Sequence, residues 1–166
     1  MKKYLILAAV LTGIDQGTKY LAEHFLKSVW CKPLIPGVLE LQYLQNRGAA
    51  FGMMKNFRCL FVFFAFAVVA LCILAVRLVP GGTSAGGRHF SYLRVCLSVL
   101  GAGAAGNLID RLVHGYVTDF IYFKIINFPV FNFADICVSI SVFVLVLLIL
   151  FYYKEEDYHE FRHLRQ

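Results

Sequence analysis

The chain has 166 residues, 60% hydrophobic and 16% charged. That is more apolar and less charged than an ordinary soluble domain, and it indicates a membrane protein. The net charge of +6 does not indicate nucleic-acid binding. Lys and Arg sit mostly in connections and tails, where they anchor helices and meet anionic lipid, and no basic groove interleaved with aromatics is visible.

Crossing a bilayer takes about 20 largely apolar residues. Stretches of that kind run roughly over Tyr4–Phe25, Cys59–Val79, Ser91–Leu112 and Phe133–Tyr153. The first begins "MKKYLILAAVLTG", which resembles a secretory signal. It lacks a small-x-small cleavage site before Asp15, so it reads as a retained helix. Asp15 and Lys19 interrupt it four residues apart, on one helical face. A salt bridge on the helix surface and a role in lining a site both remain open.

The first connection, about residues 26–58, looks structured. "VLELQYLQN" alternates in part like a half-buried strand, and "NRGAAFGM" follows with Asn46 and the turn glycines Gly48 and Gly52. "PGGTSAGGRH", in the second connection, reads as a linker. The third span contains "GAGAAGN", which lacks the Gly-Lys-Ser/Thr of a phosphate loop; its small residues suit close helix packing in lipid. In the third connection, about residues 113–132, "YVTDFIYF" reads as a second short strand. An even number of crossings puts both termini on one side. The charges at Lys2, Lys3, Arg77, Arg88, Arg94 and the tail make that side cytoplasmic and put the first and third connections outside.

Five cysteines form no CxxC pair. Cys72, Cys96 and Cys137 lie in apolar runs as small hydrophobes, and Cys31 and Cys59 in a connection leave pairing open. "HEFRH" at His159–His163 is a literal HExxH. It stands at the end of the chain with almost nothing downstream for a third ligand, so no metal site is predicted.

The polar groups beside the spans need an explanation, because an ionised group placed in hydrocarbon costs about 2.5–3.5 kcal/mol. Asp119 follows the third span and Asp135 opens the fourth. In antiparallel neighbours these positions share one end, so the two carboxylates can meet at the outer surface. Two carboxylates in a poorly solvated site share a proton, the starting point of aspartic-protease chemistry without metal or covalent intermediate. Asn132 three residues before Asp135 also fits a capping box, which does not exclude catalysis. Asp110 and Arg111 admit an interfacial charge pair or a role at the site.

In order along the chain, "DQGTK" (15–19), "NRGAAFG" (46–52), "GNLIDR" (106–111), "GYVTDF" (115–120) and "FNFAD" (131–135) resemble the lipoprotein signal peptidases (signal peptidase II). The resemblance implies an all-α membrane fold over 1–166: four transmembrane helices, a small extracytoplasmic β-sheet and a mobile surface segment from the first connection. It implies that Asp119 and Asp135 are catalytic, with Asp15, Asn46, Asn107, Arg111, Asn132 and Ala134 lining or supporting the site. Lys19, Gly48 and Asp110 lie within the matching motifs. It implies an enzyme of the bacterial cytoplasmic (inner) membrane, without cofactor, that removes the signal peptide from diacylglyceryl-modified prolipoproteins and is sensitive to globomycin-type peptides. A proton-relay transporter, a membrane scaffold or an intramembrane zinc protease are the competing readings.

Overall fold

The structure, a computed structural model, describes residues 1–48, 58–79, 90–154 and 157. "PGGTSAGGRH" and "HEFRH" lie outside these residues, as does most of the surface segment expected after Asn46. The elements in order are α1 (Lys2–Leu26), β1 (Cys31–Ile35), β2 (Leu39–Asn46), α2 (Arg58–Leu78), α3 (Ser91–Val113), β3 (Val117–Phe123) and α4 (Phe133–Leu147). A short 3-10 turn, Lys124–Ile126, follows β3, and π-helical turns, Leu148–Tyr152, extend α4.

Among the described residues three helical segments are long and apolar enough to cross a membrane: Cys59–Leu78, Ser91–Val113 and Phe133–Tyr152. The first expected span is also helical, but its polar residues make it less apolar. These helices wear their apolar side chains outward, as lipid-facing helices do. Phe63, Phe66, Leu71, Phe143 and Leu150 are exposed, while Ser98, Asp110 and Ser141 are buried. α1 has the same inside-out arrangement: Leu5, Ile6, Val10, Ile14 and Leu21 face outward, Asp15 and Lys19 inward.

α1 and α3 run parallel at a constant offset. Arg94 lies over the Tyr4 ring, the Thr12 hydroxyl donates to the Ala102 carbonyl, and Gln16 donates to the Gly106 carbonyl. α2 and α4 pack antiparallel on α3, and glycines set the spacing. A Cβ at Gly101 would stand 3.1 Å from Cys72 Cβ, and one at Gly103 would press on the Ala134 carbonyl and Val138. At Gly106 it would overlap the Asp15 carboxylate. The small-residue stripe therefore serves close packing, as the sequence indicates.

The three strands form an antiparallel sheet in the order β1-β2-β3. β2 and β3 are the strands expected from "VLELQYLQN" and "YVTDFIYF". β1 was not expected: "CKPLI" is short, contains Pro33 and is exposed throughout, so it shows no alternation, and a proline is tolerated at such an edge. Pro36 and Gly37 (φ +76°) turn the hairpin. An isolated bridge between Ile121 and Phe131 carries the chain from β3 to the start of α4. Tyr43 on β2 packs with Ala22 and Leu26 of α1, fixing the sheet on the helix ends.

Candidate active site

The start of α4 is fixed by a reciprocal cap. Asn132 Oδ1 accepts from the Asp135 backbone N–H at 3.1 Å, and the Asn132 backbone N–H donates to Asp135 Oδ2 at 3.1 Å. This is the capping box that "NFAD" suggests, and such a cap is worth about 1 kcal/mol. It also orients Asn132. With its oxygen facing the Asp135 N–H, its NH2 points away and donates to Asp119 Oδ1 at 2.6 Å and to Asn107 Oδ1 at 3.2 Å.

Asp119 stands on β3 in the fully buried stretch of that strand and is 1% exposed. Its other oxygen accepts from Asn46 Nδ2 at 2.8 Å. Asn46 ends β2 opposite Val117, so its side chain reaches Asp119 along the diagonal of one sheet face. The Gly48 N–H holds the Asn46 oxygen at 2.9 Å. Gly48 has φ +81°, a conformation glycine adopts freely, and a Cβ there would collide with Phe61. Burial pushes the Asp119 carboxyl up to about 6, against the two amide donors, and neighbouring Asp135 adds to the rise.

Asp135 is half-buried and accepts from Asn107 Nδ2 at 2.8 Å. Asn107 Oδ1 in turn accepts from Lys19 Nζ at 2.9 Å. Below this lies an ionic cluster. Lys19 Nζ stands 2.8 Å from Asp15 and 3.1 Å from Asp110, with all three side chains almost fully buried. The Asp15–Lys19 pair, which the four-residue spacing leaves open between a surface salt bridge and a place in a site, is formed and faces the interior. Asp15 accepts from the Ala134 backbone N–H at 2.9 Å, and Asp110 from the Thr118 backbone N–H at 3.1 Å. Each of these carboxylates therefore holds the residue just before Asp135 or Asp119. Arg111 donates to the Asn107 carbonyl at 3.1 Å and lies 5.7 Å from the Phe61 ring centroid.

Asp15, Lys19, Asn46, Gly48, Asn107, Asp110, Arg111, Asn132 and Ala134 thus surround the two aspartates at one end of the helices. Gln16 belongs with them, although nothing in its own residue type marks it as a site residue. Its Nε2 donates to Asp110 Oδ1 at 2.9 Å and to Asp15 Oδ2 at 3.2 Å. Its position beside Asp15 on a mostly apolar helix was the available signal. Sequence also gave no sign that Lys124 would pair with Glu40 across the sheet at 2.7 Å. All five cysteines are free, with Cys72, Cys96 and Cys137 buried and Cys31 and Cys59 exposed.

Two open grooves of about 500 Å³ each reach this end. One runs between α1, α2 and α3 from Met1 to Gln16. The other, lined by Leu39, Ile121, Phe131, Ile136 and Ile140, includes Asp135 itself.

Apolar helices around a buried polar centre, roofed by a small sheet, define a helical membrane protein with a carboxylate-lined site. Residues 7–151 match the family described as signal peptidase (SPase) II, and the chain belongs to that family. It is 38% identical to a lipoprotein signal peptidase of Brevibacillus brevis over 87% of this chain and 92% of that one. It is 41% identical to one of Symbiobacterium thermophilum, covering 86% and 91%, and 33% identical to one of Streptococcus pyogenes, covering 95% and 99%. Two solved structures described as bacterial membrane enzymes superpose on it. The TM-scores are 0.73 and 0.75 at 27% and 26% identity, covering 90% and 92% of this chain and 88% and 96% of those.

Proposed function

We propose that this chain is an aspartic endopeptidase that removes the signal peptide from diacylglyceryl-modified prolipoproteins, cutting before the lipidated cysteine. The carrying observation is that Asn132 hydrogen-bonds to both Asp119 and Asp135, at 2.6 Å and 3.1 Å, although the two come from different elements. Family membership supplies the peptidase class; the geometry supports the pair as its chemistry.

One proton serves the pair. Both carboxylates receive N–H donors on both oxygens, but Asp135 lies in the first turn of α4, where the helix dipole favours an anion. Asp119 is the more buried and holds its proton more readily. Ionised Asp135 takes a proton from water as the water oxygen bonds to the peptide carbonyl carbon. Protonated Asp119 donates to the carbonyl oxygen. Asp135 then passes its proton to the amide nitrogen, the C–N bond breaks, and Asp119 recovers its own proton as the carbonyl re-forms.

The family's prolipoprotein substrate is membrane-anchored, and α1 as a fourth crossing suits such a substrate. Its outward apolar face and its constant offset against α3 support that assignment. On this reading chain 1–166 forms one unit in the bacterial cytoplasmic membrane, with both termini cytoplasmic and the aspartates at the outer surface. A substrate held by its signal helix and acyl chains arrives within the bilayer, and the groove touching Asp135 receives the segment to be cut. Globomycin-type peptides are expected to compete there.

The test is incubation of the purified protein in detergent with a diacylglyceryl-modified prolipoprotein, with and without globomycin. Cleavage blocked by globomycin is expected. Asp119→Asn and Asp135→Asn should each abolish cleavage while the protein still purifies folded. Normal processing by either variant would remove the assignment.

A further inference from the structure

Three asparagines present NH2 groups to the two aspartates, and the oxygen of each is held by a donor. For Asn46 that donor is the Gly48 backbone N–H, and for Asn132 it is the Asp135 backbone N–H. For Asn107 it is a side chain, Lys19 Nζ at 2.9 Å, joined by Asn132 Nδ2. An ammonium has three N–H donors and no acceptor. Here its acceptors are Asp15 Oδ2, Asp110 Oδ2 and Asn107 Oδ1, and the side chain is 4% exposed. Whichever end of Asn107 meets this ammonium has to be the carbonyl oxygen. The NH2 then faces Asp135 Oδ1, at 2.8 Å.

We infer that Lys19 is a positioning residue: by locking the amide of Asn107 it forces an N–H donor onto Asp135 Oδ1 and holds that carboxylate in place as the base of the pair. Asp135 then accepts from Asn107 Nδ2 on one oxygen and from the Asn132 N–H on the other, so a proton on either oxygen would oppose an N–H. Hydrogen bonds of this kind favour the charged carboxylate. Lys19 touches neither aspartate in this arrangement; its effect passes through Asn107. The inference rests on the proposed catalytic pair, in which the deeper burial of Asp119 favours the proton there, and adds what keeps a donor on Asp135. Among the described residues, the charged groups around Asn107 and Asp135 are Lys19 and Asp15 from α1, Asp110 and Arg111 from α3, and Asp119 from β3.

Two variants separate orientation from charge. Lys19→Gln places a side chain with both donor and acceptor against Asn107, so the amide can turn. Lys19→Met/Asp15→Asn removes one charge of each sign, leaving the net charge around the aspartates unchanged while removing the lock. In both, kcat should fall about tenfold or more with KM little changed, and the acid limb of kcat/KM should move to higher pH as a hydrogen bond to the carboxylate is lost. Lys19→Arg, which has donors only, should recover more activity than Lys19→Gln. A folded Lys19→Met/Asp15→Asn protein with the wild-type pH profile would overturn the inference. If neither variant folds, side-chain NMR of the asparagine-labelled wild-type protein decides. Contact between the Asn107 NH2 protons and the Asp135 carboxyl carbon is expected, and contact with the Lys19 side chain overturns it. Activity surviving in Asp135→Asn would instead remove the catalytic pair itself. Inactive Asp135→Asn beside unaffected Lys19 variants would remove only this inference.

Discussion

Asp119 and Asp135 each accept N–H donors on both oxygens, two side-chain amides at Asp119 and one amide and one backbone N–H at Asp135, and Asp119 is the more deeply buried of the two. The Asp119 carboxyl, raised by burial from 3.8 to about 6, keeps its proton over roughly two pH units in which an ordinary aspartate has lost it. If the active form carries that proton, kcat/KM falls as pH rises past about 6, not past about 4, and substrate that excludes water moves the limb in kcat higher still. Cleavage of a fluorescent lipopeptide across a pH series measures both limbs; a flat profile between pH 5 and 8 would contradict the assignment of the acid to Asp119. A second residue-scale prediction separates the two roles of Asn132. Serine caps a helix well but is too short to reach Asp119. Asn132→Ser should therefore stay within about 1 kcal/mol of the parent in thermal unfolding, while cleavage falls about a hundredfold from misplacement of Asp119. Equal loss of both would mean that the cap is the main role. The cap was legible in "NFAD" because it is local. The reach of Asn132 to Asp119, thirteen residues earlier, depends on the β3-to-α4 connection and had no local signal.

The helices owe their arrangement to where side chains are missing as much as to where they are apolar. Gly103 and Gly106 lie on the contact face of α3, and a Cβ at either meets the Ala134 carbonyl or the Asp15 carboxylate. Gly13 and Gly17 of α1 have nothing within 4 Å of such an atom. Alanine should act oppositely at the two pairs. Gly103→Ala and Gly106→Ala should lower stability by about 1–3 kcal/mol through forced separation of the helices, and Gly106→Ala should also cost activity by displacing Asp15 from the Ala134 N–H. Gly13→Ala and Gly17→Ala should be neutral or stabilising by up to about 1 kcal/mol, since helical glycine carries an entropic cost. Unfolding of the four variants in one detergent compares them directly, and a uniform response would sink the packing argument. Sequence indicated the stripe in α3 but could not rank its glycines, because only the packed partner distinguishes one that touches a backbone from one that faces lipid. α1 was harder to read for the related reason that its charges count against a span until their burial is known.

Among the described residues the outward faces of the helices are apolar while a buried ionic and amide cluster sits between them, and the arrangement is asymmetric from end to end: Lys2, Lys3, Tyr4 and Arg94 lie at one end, the sheet and both aspartates at the other. If Lys and Arg follow the usual cytoplasmic bias, the sheet is outside the cell. Two exposed thiols are available to test this. Cys31 on β1 is exposed and donates to Glu40 at 3.3 Å. Partial desolvation against the strand and the adjacent Glu40 carboxylate push its thiol above the usual range, so labelling belongs at mildly alkaline pH, where more of the reactive thiolate forms. Cys72, Cys96 and Cys137 are buried and closed to a hydrophilic reagent. In a Cys59→Ser background, a membrane-impermeant maleimide added to intact cells stripped of any outer envelope should therefore modify Cys31. With Cys31→Ser and Lys2→Cys added to that background, labelling should require permeabilisation. The reverse pattern would invert the molecule and place the aspartates in the cytoplasm, away from the translocated junction between signal helix and lipidated cysteine. Labelling of both sites from outside would mean that α1 does not cross, leaving the three more apolar helices as the only spans.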